Sequence, residues 1–122
     1  KTAESVANHL PDDQYYFAKT SFSAYIETMQ EILQKLGRKT IIMAGSETHV
    51  CVFQSARDLV HDGYNVHLVA DAVCSRFKIN YRNGLSLIES LGAVVTNTET
   101  VLFDLLGNSD VPQFRKIAPL VK

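Results

Sequence analysis

Residues Gly45 to Val52 read Gly-Ser-Glu-Thr-His-Val-Cys-Val and join a buried apolar run to an amphipathic helix. The preceding run, Thr40 to Ala44, is short, apolar and β-branched, which is typical of a strand covered on both faces. Gly45 ends this strand. From Val52 the apolar residues recur with the spacing of one helical face until Gly63, which we expect to cap the helix. The pattern predicts a strand, a turn and a helix, with Cys51 in the first helical turn.

Cys51 occupies a position at which a cysteine can be chemically active. Unpaired backbone N–H groups at a helix N-terminus favour a thiolate and can also hold an oxyanion. A strand–turn–helix unit places the sulfur at the carboxyl edge of a parallel sheet, where open α/β folds bind ligands. A lone cysteine is also often a small buried apolar residue. Local geometry therefore leaves both interpretations of Cys51 open.

The composition of the 122 residues is that of a globular protein, with 46% hydrophobic and 20% charged residues, and we expect residues 1–122 to form one domain. The net charge of −1 argues against nucleic-acid binding, because a phosphate-binding face needs an excess of Lys and Arg. No apolar run is long enough to span a bilayer. No cationic leader is present, so we expect a cytoplasmic protein. Organellar targeting by a segment upstream of Lys1 stays open.

The two cysteines of the chain are Cys51 and Cys74. They could form a disulfide on count alone. Without a dense cysteine framework or a CxxC spacing, a pair of free thiols is the expectation. Cys74 belongs to no motif, and we interpret it as inert.

Helix, glycine and strand recur in that order at Gly37, Gly63 and Gly92. Such alternation forces parallel strands joined by helical crossovers that cover both faces of the sheet. The sequence therefore predicts an α/β fold with a doubly wound parallel sheet. The predicted strands are Tyr15–Ala18, Thr40–Ala44, Asn65–Ala70 and Ala93–Thr96. The predicted helices are one capped by Ser21 or Ser23, one from Val52, one over Ile79–Leu91, one capped by Thr98 and a short one near Pro112.

A nucleophilic cysteine needs a group that takes its proton or keeps it ionised. Lys19 ends the first predicted strand, so it should lie at the same sheet edge as Cys51, although a solvated surface lysine is the more frequent case. Asp71 ends the next strand at that edge, and we interpret it as a cap for the following loop. Arg76 and Lys78 could meet an anionic group there, or simply lie in a solvated loop.

The four histidines do not form a metal-binding pattern, because no HxH or HExxH spacing occurs. His49 lies two residues before Cys51, which favours a turn or packing role over that of a base. No GxGxxG or P-loop glycine pattern is present. The sequence therefore predicts neither a metal nor a cofactor.

Three separated segments of the chain resemble the isochorismatase-like cysteine hydrolases. Lys19 to Tyr25 is similar to the lysine motif of that family, and Gly45 to Val52 is similar to its nucleophile turn. Asp71 to Val73, followed by Ser75 and Arg76, resembles the segment after the next strand. The resemblance runs from about residue 1 to Lys122. The Glu-Thr-His-Val sequence of the turn resembles that of the isochorismatase-domain subgroup more than that of the named amidases.

The resemblance implies a three-layer α/β/α fold and a Cys-Asp-Lys triad that hydrolyses an amide or related C–N bond through a thioester. Cys51 would be the nucleophile, and Lys19 would position and electrostatically support the site. A cis peptide bond between Ser46 and Glu47 is also implied. The backbone N–H groups of Glu47 and Cys51 would then form the oxyanion hole. The family further implies a small-molecule substrate and a homo-oligomer.

One part of the family pattern has no counterpart here. The catalytic Asp of the family ends a strand upstream of the lysine motif, and no residue of this chain matches it. The zinc ligands of the nicotinamidase branch would lie upstream as well, so the resemblance supports no metal. Two strands would be missing, one of them between the Lys19 and Cys51 strands, which would expose an unpaired sheet edge. We expect the chain to be the C-terminal two-thirds of a larger domain.

Two further functions remain as alternatives. A non-catalytic or regulatory oligomeric relative would account for the unmatched Asp. Nuclease activity is a label that some members of the subgroup carry, but the near-neutral charge of the chain argues against it.

Overall fold

The structure, a computed structural model, describes residues 4–121; the predicted single domain extends over residues 1–3 and 122, which lie outside the described residues. Three strands alternate with helices. The strands are β1 (Thr40–Ser46), β2 (Asn65–Cys74) and β3 (Val94–Thr96). The helices are α1 (Glu4–Ala7), α2 (Glu27–Leu36), α3 (Phe53–His61), α4 (Lys78–Ser90), α5 (Thr98–Leu106) and α6 (Phe114–Ile117). A π-helical turn (Thr48–Val52) precedes α3, and a 3₁₀ turn (Ala118–Val121) follows α6.

The three strands form one parallel sheet in the order β1-β2-β3. Thr40 faces Asn65 at the start of the β1–β2 ladder, and the register shifts between Met43 and Gly45, so that Ser46 faces Cys74 at its end. Helices flank the sheet. The α/β class predicted from the glycine-punctuated alternation is confirmed, as are strands at Thr40–Ala44 and Asn65–Ala70.

The core lies where α3 and α4 meet β2. Ala56 and Leu59 of α3, Leu68 of β2 and Ile88 of α4 are fully buried. These residues sit on the apolar faces that the sequence pattern predicted, and burying each large side chain contributes about 1.5–3 kcal/mol. Among residues 4–121, no helix is long and apolar enough to cross a membrane.

The first predicted strand is wrong. Tyr15 to Ala18 form no strand, and their side chains are exposed, with Tyr16 at 65%. Aromatic residues favour strands only where a neighbouring strand packs against them. No described strand lies beside this segment, so its propensity is not expressed.

Several predicted boundaries also differ. Helix α2 begins at Glu27 after Ile26, and neither Ser21 nor Ser23 caps it. Strand β2 continues past Asp71 to Cys74, so Asp71 does not end it. The side chain of Asn97, rather than that of Thr98, caps α5 by accepting a hydrogen bond from the Thr100 N–H.

Candidate active site

Cys51 lies in the π-helical turn that joins β1 to α3, not in the first turn of an α-helix. The carbonyl of Glu47 accepts hydrogen bonds from the N–H groups of Val50 at 3.1 Å and Val52 at 3.2 Å. The bond from Val52 spans five residues, which is the hydrogen-bond spacing of a π-helix. The peptide bond between Ser46 and Glu47 is cis. Cys51 is half-buried, and both cysteines are free thiols.

Helix α4 packs closely against this turn. Thr48 is fully buried, and a Cβ atom added at Gly84 would lie 2.8 Å from the His49 backbone nitrogen and 2.9 Å from Cγ2 of Thr48. Real Cβ atoms do not approach other heavy atoms so closely. Gly84 therefore allows the helix to touch the backbone of the turn directly.

The ammonium of Lys19 is bound to its own segment. Its Nζ donates hydrogen bonds to the carbonyl oxygens of Ser21 and Phe22, each at 2.8 Å. The Ser21 hydroxyl donates to the Ser23 carbonyl at 2.8 Å. These bonds fold residues 19–23 into a compact loop that holds the ammonium in place, unlike that of a freely solvated lysine.

Lys19 and Cys51 line the same cleft, which has a volume of about 310 Å³. The cleft follows β1 along the edge that does not pair with β2. Its walls are mostly apolar, and its polar side chains come from the lysine segment, from the nucleophile turn and from Ser55 of α3. The lining residues are Lys19, Ala24, Met29, Ile41, Ile42, Met43, Ala44, Gly45, Ser46, Cys51, Val52 and Ser55.

Ser55 connects the two halves of this cleft. Its hydroxyl donates a 2.7 Å hydrogen bond to the Cys51 carbonyl and accepts a 2.8 Å bond from the Ala24 N–H. The residue is only 3% exposed. The first bond lies within one helical turn, whereas the second reaches a residue that is 31 positions away in the chain.

Glu47 connects the turn to the loop after β2. Its carboxylate accepts a 3.2 Å hydrogen bond from the Arg76 N–H, and the Arg76 guanidinium lies 3.5 Å from it. Next to it, Nδ1 of His49 is 3.0 Å from the Ser75 hydroxyl and 3.7 Å from the Glu47 carboxylate. Two side chains of the turn thus contact two consecutive residues of the loop.

Asp71 takes no part in the cleft. Its carboxylate accepts hydrogen bonds from the Thr98 N–H at 2.9 Å and the Thr98 hydroxyl at 3.0 Å. The bond from the backbone N–H is the main reason that the pKa of Asp71 lies below its ordinary value. Asp71 therefore holds the start of α5 against β2.

A profile of the isochorismatase domain matches residues 3–100 of this chain. The chain belongs to the isochorismatase family. Isochorismatase domain-containing protein 2 of Xenopus laevis is 37% identical over 111 residues, which cover 90% of this chain and 54% of that relative. The chain spans little more than half the length of such curated relatives. The resemblance drawn from the three motifs is thereby confirmed.

Solved structures agree with this membership. The structure of MAR1 ribonuclease from Caenorhabditis elegans is 35% identical with a TM-score of 0.92, and the match covers 99% of this chain and 62% of that one. Pyrazinamidase/nicotinamidase from Streptococcus mutans UA159 is 29% identical with a TM-score of 0.59, and the match covers 63% of this chain and 44% of that one. The α/β fold is the fold of isochorismatase-like hydrolases.

Two residues of this isochorismatase-family site were missed by the sequence analysis. Ser55 follows Cys51 by four residues, a spacing at which a serine hydroxyl commonly bonds the backbone of its own helix, but its partner Ala24 could not be inferred. Gly84 is a glycine inside a helix, and such a glycine often marks a close packing contact. Within residues 4–121, no group of three or more His, Cys, Asp or Glu side chains is placed to hold a metal ion.

Proposed function

We propose that this chain is the part of an isochorismatase-family hydrolase that carries the cysteine nucleophile. Cys51 would attack the carbonyl carbon of a small amide-type substrate, and Lys19 would support the site with its positive charge. The observation that carries the proposal is the single cleft lined by both side chains. A nucleophile beside a fixed cation is the arrangement that covalent catalysis by a thiol requires.

The backbone N–H groups of Glu47 and Cys51 are the proposed donors for the oxyanion. Glu47 directly precedes the π-helical turn and Cys51 lies within it. The Glu47 N–H belongs to the cis peptide bond between Ser46 and Glu47. As the sulfur adds to the carbonyl carbon, its oxygen gains negative charge, and donors already in place stabilise that charge.

The proposed reaction has two stages. In the first, the S–C bond forms, the C–N bond breaks, and the amine leaves after taking up a proton. In the second, water attacks the thioester carbon, the S–C bond breaks, the carboxylate product leaves, and the free thiol is regenerated. The catalytic Asp expected from the family matches no residue of this chain, and its proton-transfer role is assigned to none of them.

Likeness to a pyrazinamidase/nicotinamidase supports amides as the substrate class, because the name of that protein describes amide hydrolysis. The apolar walls of the cleft suit a small, mostly uncharged molecule. We also propose a homo-oligomeric assembly. A regulatory relative without catalysis is the alternative that the experiment must exclude.

The test is ammonia release from small primary amides, beginning with nicotinamide, measured for the purified protein and two variants. We expect Cys51→Ala to abolish release and Cys74→Ala, which removes the other thiol, to leave it unchanged. Equal release by Cys51→Ala and the unsubstituted protein would contradict the proposal. No release from any amide of the panel by the unsubstituted protein would favour the regulatory alternative.

Ribonuclease activity is a second candidate, favoured by the close likeness to the protein named MAR1 ribonuclease. The net charge of −1 opposes it, because a phosphate-binding surface needs excess positive charge. The two candidates differ in salt dependence. Cleavage of RNA that weakens steeply between 50 and 200 mM salt, on the order of the thousandfold loss typical of phosphate contacts, would support the second candidate.

A further inference from the structure

Ser55 forms the hydrogen-bonded link between the two segments of the cleft. The Lys19 ammonium binds the Phe22 carbonyl, and two residues later the Ala24 N–H binds the Ser55 hydroxyl. The same hydroxyl binds the carbonyl of Cys51. A short path of hydrogen bonds therefore joins the cation to the backbone of the proposed nucleophile.

Both polar functions of the Ser55 hydroxyl are used in this path. A hydroxyl has one hydrogen to donate, and Ser55 gives it to Cys51 while a lone pair accepts from Ala24. A serine that only completed its own helix would need the first bond alone. Ser90 of α4 is such a serine, because its hydroxyl donates to the Leu87 carbonyl at 2.7 Å. The bond to Ala24 is what sets Ser55 apart.

Burial strengthens the case. Ser55 is 3% exposed, so water cannot readily replace either partner if the hydroxyl is removed. Loss of the hydroxyl would leave the Ala24 N–H without its partner, and an unpaired polar group of this kind is unfavourable in the interior. The lysine segment, which is otherwise exposed, would then relax away from the turn.

We infer that Ser55 is a positioning residue that holds Lys19 in register with Cys51. This inference rests on the proposed function, since it concerns the geometry of the proposed nucleophile and its cation. It predicts that the influence of Lys19 on the reactivity of Cys51 depends on a hydroxyl at position 55. A purely structural role would lower stability without linking these two residues.

The experiment measures the rate of Cys51 alkylation by iodoacetamide at pH 7, which requires no knowledge of the substrate. The thiolate is the form of a cysteine that iodoacetamide alkylates, and the proposed function gives Lys19 the role of supporting the negative charge of the sulfur. We expect Lys19→Met to slow alkylation by about fivefold and Ser55→Val to slow it by a similar factor. We expect Ser55→Thr, which has the size of valine but keeps the hydroxyl, to react like the unsubstituted protein.

A double variant provides the decisive comparison. If Ser55 acts through Lys19, Lys19→Met combined with Ser55→Val should be no slower than either single variant. Ser90→Val is the matched control and should change nothing. Ser55→Ala adds no volume and replaces Ser55→Val if thermal melting shows that the latter is unfolded.

The outcomes separate the inference from the proposed function. Normal alkylation of Ser55→Val and Ser55→Ala, with slowed alkylation of Lys19→Met, would overturn the inference alone. Additive losses in the double variant would also overturn it. If Lys19→Met leaves the rate unchanged, the support assigned to Lys19 fails and the inference fails with it. If iodoacetamide does not modify Cys51, the proposed function fails, and the inference that rests on it fails as well.

Discussion

Glu47 has two roles at the turn that carries Cys51. Its backbone carries one of the proposed oxyanion donors, and its carboxylate binds the Arg76 N–H in the loop after β2. The side chain is 28% exposed and the Arg76 side chain 77%, so their charge interaction in solvent contributes little. We therefore assign Glu47 a positioning role, in which its hydrogen bond from the Arg76 N–H fixes the backbone of the turn.

Replacing Glu47 should therefore affect turnover more than binding. We expect Glu47→Ala to lower kcat by about tenfold, equivalent to about 1.4 kcal/mol, because the turn loses its hydrogen bond to the loop. Glu47→Gln keeps an oxygen that can accept from Arg76 and should retain most of the activity. Steady-state kinetics with the best amide of the panel supply the measurement. Equal kcat values for the two variants would refute this role.

At the scale of elements, the close contact between α4 and the nucleophile turn is possible because Gly84 has no side chain. Alanine is normally favoured over glycine inside a helix by about 1 kcal/mol. At position 84, however, the added Cβ would lie 2.8 Å from the His49 nitrogen, and overpacking typically costs about 1–3 kcal/mol. The steric term exceeds the propensity term, so the expected sign is reversed.

We therefore expect Gly84→Ala to lower the melting temperature and kcat, and Gly84→Val to lower both further, as the turn is pushed away from α4. Asn83→Ala is the matched control, because Asn83 is exposed on the same helix. It should keep or slightly raise the melting temperature. Melting followed by circular dichroism, together with kinetics, decides the matter. A stabilised, fully active Gly84→Ala protein would show that the helix does not press on the turn.

The contact between β2 and α5 should depend on pH through Asp71. Hydrogen bonds from Thr98 lower the pKa of Asp71 in the folded protein, so the folded state binds this proton less readily than the unfolded state. The stabilisation is present above the ordinary Asp value of 3.8 and is lost as the pH falls through the lowered value. We expect Asp71→Asn to melt below the unsubstituted protein at pH 7. The difference should close as the pH falls below 3.8 and through the lowered pKa of Asp71, and a constant difference would contradict this assignment.

The sequence predicted elements wherever local pattern and environment agree. Thr40–Ala44 and Asn65–Ala70 are apolar runs beside glycines, and both form strands that pair with each other. Strand β2 buries Val66, Leu68 and Val69, whereas β1 has no buried residue, so the prediction of a strand covered on both faces is wrong for β1. Tyr15–Ala18 has the same propensity but no described strand beside it, and it forms none. Cys51 lies in a π-helical turn, and Thr48 and His49 of this turn pack closely against Gly84 of α4, a tertiary contact that no local pattern records.

The sequence likewise indicated some residues of the candidate site and not others. Motif resemblance placed Lys19 and Cys51 together, and the structure puts them in one cleft. Ser55 and Gly84 escaped notice because their importance comes from partners about 31 and 35 positions away in the chain. A sequence motif records which groups react, whereas the groups that position them depend on tertiary packing.

At the scale of the whole molecule, the chain exposes more surface than its mass suggests. Its accessible area is 8795 Å², whereas a folded monomer of 13.6 kDa exposes about 6,600 Å². Ile42 on β1 and Val94 on β3 are each 48% exposed, although both belong to sheet strands. The excess on one chain, about 2,200 Å², is larger than the roughly 800 Å² that each partner buries in a standard interface and lies within the range of large obligate interfaces.

We accordingly expect the protein to sediment as a multiple of its own monomer mass at micromolar concentration. Replacing Val94, on the outer strand, with lysine should shift the distribution towards the monomer if that edge takes part in assembly. Asn83→Ala, on an exposed helical surface, serves as the control. A single monomeric species over the whole concentration range would contradict the proposed homo-oligomer.

The central claim is that Cys51 is a nucleophile rather than a buried thiol. The second free thiol, Cys74, competes with Cys51 for an alkylating reagent. Cys74 is exposed whereas Cys51 is half-buried, so accessibility alone favours modification of Cys74. The most direct measurement treats the folded protein with less than one equivalent of iodoacetamide at pH 7 and locates the label by peptide mass spectrometry. The account predicts that Cys51 is labelled first, because it lies in the proposed nucleophile turn and lines one cleft with Lys19. Labelling of Cys74 before Cys51 would contradict it.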